Sequence, residues 1–136
     1  MTKKTQTDPL NLSILIVEDV QEMRDMVEEA LLEISGIKIS GRAGNGAEAR
    51  VELYRRRPDV VFLDEILPGE SSTDLIEEFD QAGVIVLLMT SVEKPTHSLP
   101  KHALLRVIKP GWKSTRVDLK NLEDALYLAK ESLKKK

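Results

Sequence analysis

The chain contains no cysteine. This excludes disulfide scaffolds, thiolate metal centres and cysteine nucleophiles. Aromatic residues make up only 4 % of the 136 residues, with a single Trp, so stacking platforms for exposed bases are poorly supplied. An excess of positive charge is also missing: 20 Lys and Arg stand against 23 Asp and Glu, a net charge of -3. That balance gives no general attraction to nucleic acid or acidic lipid. The longest apolar run, Val84 to Met89, is far too short to span a bilayer. The polar start MTKKTQTDPLN carries no apolar signal segment, and the expected location is the cytoplasm. The 41 % of hydrophobic residues is enough for one buried core in a chain of this length.

The apolar residues change period along the chain. Ile14–Val17, Val60–Leu63, Val84–Met89 and Leu104–Ile108 are short runs rich in branched residues. They fit strands buried on both faces. Ile37-Lys38-Ile39-Ser40 alternates, as a half-exposed edge strand does. Helical spacing fills the intervals. Val20, Met23, Met26, Val27, Ala30, Leu31 and Ile34 form one stripe. Asp19 with Glu22 predicts a capping box in front of it, and Asn45 with Glu48 a second one before Ala47, Val51 and Tyr54. Leu75, Ile76 and Phe79 mark a third helix ended by Gly83, and Leu119, Leu122, Leu126, Ala129 and Leu133 a last one. The segment 92–102 holds Pro95 and Pro100 and predicts a loop with at most one turn. Residues 1–11 read as a flexible lead and 12–136 as one domain. Strands alternating with helices imply a parallel sheet covered on both faces, an α/β fold.

In such sheets ligands bind beyond the carboxyl ends of the strands. The first strand runs out into Glu18-Asp19, the third into Asp64-Glu65, the fourth into Thr90-Ser91 and the fifth into Lys109-Pro110. Singly, each has a plainer reading: Asp19 a helix cap, Asp64 a turn residue, Thr90 a strand former, Lys109 a surface charge. Their coincidence at successive strand ends is the stronger signal. Crowded carboxylates repel one another, and a hard divalent cation relieves them; an oxygen-only set selects Mg²⁺ over zinc. A lysine and a hydroxyl beside that cation suit phosphate oxygens and hence phosphoryl chemistry. His97 and His102 have no ligand spacing and read as solvent-facing, and Trp112 as a packing residue.

With ILIVED, VVFLDEILPG, LLMTS and VIKPG in this order, the chain resembles the receiver domains of bacterial two-component response regulators, similar to the single-domain chemotaxis type. The resemblance runs from about Ser13 to Lys134. It implies a flavodoxin-like, doubly wound, five-stranded parallel sheet of order 2-1-3-4-5. It further implies that Asp64 accepts a phosphoryl group from the phosphohistidine of a sensor histidine kinase or phosphotransfer protein. Glu18, Asp19, Asp64 and the backbone carbonyl of Ile66 would surround Mg²⁺, Asp19 directly and Glu18 through water. Thr90 and Lys109 would bond the phosphoryl group, and the Lys109–Pro110 peptide would be cis.

Four features depart from the family pattern. Glu18 replaces the commoner Asp, and Ser72 stands where Gly is frequent. Arg106 takes the place of the usual switch aromatic, and the short stretch from Thr90 to Lys109 leaves the fourth helix missing or reduced to a loop. The implied function is a stand-alone phosphorylation switch that forms and hydrolyses its own acyl phosphate and signals by protein contact, with no nucleic-acid or membrane partner. The alternatives are a non-phosphorylated interaction module and a Mg²⁺-dependent phosphohydrolase. The last is disfavoured because Ile66 stands where such enzymes favour a second Asp.

Overall fold

The computed structural model describes residues 9–69, 71–91, 98–110 and 116–136, with side chains from Leu119 onward in the last stretch. Among the described residues five strands and four helices follow in the order β1 (Leu12–Val17), α1 (Gln21–Leu32), β2 (Ile37–Ala43), α2 (Gly46–Arg55), β3 (Val60–Asp64), α3 (Ser72–Gln81), β4 (Ile85–Thr90), β5 (Leu105–Ile108) and α4 (Arg116–Lys134). All strand pairs are parallel, in the order β2-β1-β3-β4-β5. This is the flavodoxin-like doubly wound sheet.

Strand alternation divides the core in two. Ile14, Ile16, Val60, Phe62, Leu87 and Met89 face one side, packed with Val27 and Leu31 of α1 and Leu122, Leu126 and Ala129 of α4. Leu15, Val17, Val61, Leu63, Val86 and Leu88 face the other, packed with Ala49 and Leu53 of α2 and Leu75, Ile76 and Phe79 of α3. Each large side chain removed from water in these layers contributes about 1.5–3 kcal/mol. β3 and β4 are buried throughout, which is why their sequences are unbroken apolar runs. β2 lies at the edge and keeps a half-exposed pattern.

Several local expectations are corrected. The lead-in expected through residue 11 meets the fold earlier. Leu10 is fully buried in the first core layer, and its N–H donates to the Ser35 carbonyl. Gly36 (φ 87°) makes this possible, because a Cβ there would lie 2.4 Å from the Leu10 backbone nitrogen. Asp19 does not cap α1; the cap residue is Val20, without a side-chain bond. Instead the Glu18 carboxylate accepts from the Val20 N–H at 3.1 Å.

At the second site Asn45 does cap α2, but the return bond of a full capping box goes to the residue before the cap. Asn45 Oδ1 accepts from Glu48 N, and Glu48 Oε1 reaches back to Gly44 N. However, α2 turns Ala49 and Leu53 inward and leaves Val51 and Tyr54 62 % and 70 % exposed. The Tyr54 hydroxyl donates to Glu78 of α3 at 2.6 Å. Among the described residues no helix lies between β4 and β5, in keeping with the missing fourth helix. Residues 92–97, with His97, and 111–115, with Trp112, lie outside the described residues. His102 is exposed, and its Nδ1 lies 3.0 Å from Asp80 Oδ2.

Candidate functional site

The carboxyl ends of β1, β3, β4 and β5 meet on one rim, as parallel pairing requires. Glu18 follows β1, and its N–H bonds the Ala43 carbonyl of β2, which carries the sheet one residue beyond the strand. The Glu18 side chain is only 1 % exposed. Asp19, next in the chain, is exposed. Asp64 ends β3 and is buried. One ligand oxygen from each of Glu18, Asp19 and Asp64 lies within 4.8 Å of the others. Thr90, at the end of β4, is buried beside them. A cavity of about 130 Å³ is lined by Asp64, Glu65, Ile66, Thr90, Ser91 and Lys109.

Lys109 bridges the acids. Its Nζ is 2.8 Å from Glu18 Oε1 and 3.3 Å from Asp64 Oδ2. The β4–β5 ladder places it there, since its N–H donates to the Thr90 carbonyl at 2.8 Å. Burial by itself would lower the ammonium's pKa, but the Glu18 hydrogen bond and the Asp64 and Glu18 charges together outweigh it and raise the pKa. The Lys109–Pro110 peptide is trans, as are all peptide bonds among the described residues. The cis form implied by the resemblance is therefore corrected. Trans is the lower-energy isomer even before proline.

The donor set fits a small hard cation. It is all oxygen, carries three formal negative charges and includes one solvent-facing member through which an ion could enter. Glu18 is the least available of the three, since Lys109 engages one oxygen and the Val20 N–H the other. Asp64 Oδ1 accepts from the Ile66 N–H at 3.0 Å, which turns the chain so that Ile66 stands exposed at the cavity wall.

One pair was not foreseen from sequence. Arg106 of β5 donates to both oxygens of Glu65, with contacts of 2.7, 2.9 and 3.1 Å, and also to the Ser98 carbonyl at 2.9 Å. The two side chains are 12 % and 21 % exposed. Hydrogen bonding to Glu65 holds the guanidinium pKa above its already high value. The signal available in the sequence was a lone charge within the apolar run Leu104–Ile108.

Comparison with known proteins agrees with this geometry. Residues 14–110 match the response regulator receiver domain, and the chain belongs to that family. It is 31 % identical over 116 residues to protein-glutamate methylesterase/protein-glutamine glutaminase 1 of Syntrophus aciditrophicus, covering 80 % of this chain and 33 % of that protein. It is also 31 % identical over 101 residues to the transcriptional regulatory protein BtsR of Escherichia coli K12, covering 73 % and 42 %. Among solved structures it resembles CheY6 of R. sphaeroides, crystallised in complex with the P1 domain of CheA3. There the TM-score is 0.71 at 20 % identity, over 87 % of this chain and 98 % of that one. The chain spans 22–42 % of the length of the curated relatives it matches. No helix among the described residues is long and apolar enough to cross a membrane.

Proposed function

We propose that this receiver domain accepts a phosphoryl group on Asp64 and uses the product as a signal. The observation that carries the reading is the gathering of Glu18, Asp19 and Asp64 within 4.8 Å, with Lys109 Nζ 2.8 and 3.3 Å from two of them. A carboxylate oxygen of Asp64 attacks phosphorus. An O–P bond forms, the P–N bond of a phosphohistidine breaks, and the imidazole leaves as a neutral base after taking up a proton. Lys109 then faces the charge gained at Asp64, and Thr90 lines the cavity in which the added oxygens come to lie. Mg²⁺ held by Asp19 and Asp64, by Glu18 through water and by the Ile66 carbonyl would neutralise charge on the transferring group. The donor would be a histidine kinase or phosphotransfer protein, a role suggested by the CheA3 P1 domain seen with CheY6. The recipient of the signal would be a protein.

The test is intact-mass measurement after incubation with acetyl phosphate and Mg²⁺. The expected result is one added phosphoryl group on the parent protein and none on Asp64→Asn, since an amide cannot form the acyl phosphate. A parent protein that gains nothing would instead favour a non-phosphorylated interaction module. The reading would also fail if Asp64→Asn gained phosphate as fast as the parent.

A further inference from the structure

The cavity holds one acid more than the proposed chemistry uses. Glu65 follows Asp64 directly and lines the same wall. Its N–H is tied to the Met89 carbonyl at 3.0 Å, so its backbone is held against β4. With Glu18, Asp19 and Asp64 it would place four carboxylates around the entrance for an incoming anion. Like charges brought together in this way strongly disfavour the approach of another anion. Lys109 is already committed to Glu18 and Asp64.

Arg106 answers that fourth charge. It is in register with Leu88, so it shares the sheet face that bears Leu88 and, two residues on, Thr90. Its guanidinium takes Glu65 in a two-oxygen grip and ties the pair to the Ser98 carbonyl. The pair is mostly shielded from water, so its neutralisation is screened less by salt than that of a surface ion pair. We infer that Arg106 is a positioning residue of the Asp64 site: it draws the Glu65 carboxylate toward β5 and cancels its charge, which admits an anionic phosphoryl donor to the cavity. This rests on the reading of Asp64 as phosphoryl acceptor. It gives the position of the missing aromatic an electrostatic role rather than a packing one.

The test measures the initial rate of phosphorylation by acetyl phosphate with Mg²⁺, followed by intact mass, at low and high potassium chloride. Arg106→Met leaves Glu65 uncompensated and should slow the reaction about tenfold at low salt. The deficit should shrink as salt rises, a change that a packing defect would not show. Arg106→Lys restores charge without the planar fork and should recover most of the rate. Glu65→Gln should react faster than the parent, since it removes the anion and leaves the cation. The double variant Glu65→Gln/Arg106→Met should return to within about twofold of the parent, as coupled charges require.

The inference is overturned if Arg106→Met matches the parent, if its deficit ignores salt, or if the double variant is as slow as Arg106→Met. Should Arg106→Met fail to fold, Glu65→Gln decides alone, and a rate equal to or below the parent's overturns the inference. A parent protein that takes up no phosphoryl group overturns the acceptor reading and this inference with it. A reactive parent with unaltered variant rates overturns only this inference.

Discussion

Asp64→Asn should make the metal-free protein more stable, and the size of the gain follows from the site. The Asp64 carboxylate lies within 4.8 Å of ligand oxygens on both Glu18 and Asp19. At an effective dielectric near 20, each such like-charge pair costs about 3.5 kcal/mol. The Lys109 ammonium, 3.3 Å from Asp64 Oδ2, returns about 5 kcal/mol on the same scale. The balance is a net repulsion of about 2 kcal/mol, reduced toward about 1 kcal/mol because Asp19 is exposed and partly screened. The amide keeps an acceptor for the Ile66 N–H. For a chain of this length the gain is a rise of about 3–6 °C in Tm. The assay is urea and thermal denaturation in EDTA, with an unchanged urea m-value as the check that only stability has moved. Equal or lower stability of Asp64→Asn in EDTA would refute the claim that uncompensated carboxylate repulsion remains at this rim.

Two other expectations rest on the same charges. Mg²⁺ should stabilise the parent, by about 2.7 kcal/mol at a hundredfold excess over Kd, and Asp19→Ala should remove most of that gain. A thermal-shift titration checks this, with an unaffected Asp19→Ala response as the contrary result. Stability should also fall at both ends of the pH range. The raised pKa of Lys109 means that its contribution is complete below the ordinary lysine value and is lost as pH rises through the folded value. The Glu78 carboxyl is lowered by hydrogen bonds from Tyr54 and Arg50, so its contribution is complete above the ordinary carboxylate value and is lost as pH falls through the folded one. Urea denaturation across pH, with Lys109→Met flattening the alkaline limb and Tyr54→Phe weakening the acid one, is the measurement.

What was legible in the sequence is what burial on two faces imposes. β3 and β4 have no solvent-facing side, so their residues cannot alternate, and their ends in Asp64 and Thr90 could be read directly. The face of α2 could not. Ala47 and Val51 repeat with the same four-residue spacing as the buried Ala49 and Leu53. Two residues of offset turn a helix by about 200°. Periodicity therefore finds both stripes, and only the sheet decides which is covered. Asp19 shows the same ambiguity at a helix start. Its type and position suit a cap, yet it joins the acid group, while Glu18 bonds the Val20 N–H. The Glu65–Arg106 pair was hidden because its partners are far apart in sequence and meet only through the order of β3, β4 and β5.

That order also explains why an arginine suits position 106. Leu105 and Val107 point toward the core layer that α4 covers. Arg106 and Ile108 therefore point to the opposite face, where no helix lies between β4 and β5 among the described residues. Ile108 is correspondingly 52 % exposed. A long cation can lay its stem along the sheet and deliver its charge elsewhere, and here it reaches Glu65, beside the proposed acceptor. On that face Arg106 forms an ion pair with Glu65 and also donates to the Ser98 carbonyl. A signal leaving Asp64 through Glu65 toward β5 would meet a salt bridge, whose strength answers to charge rather than to the fit of a ring.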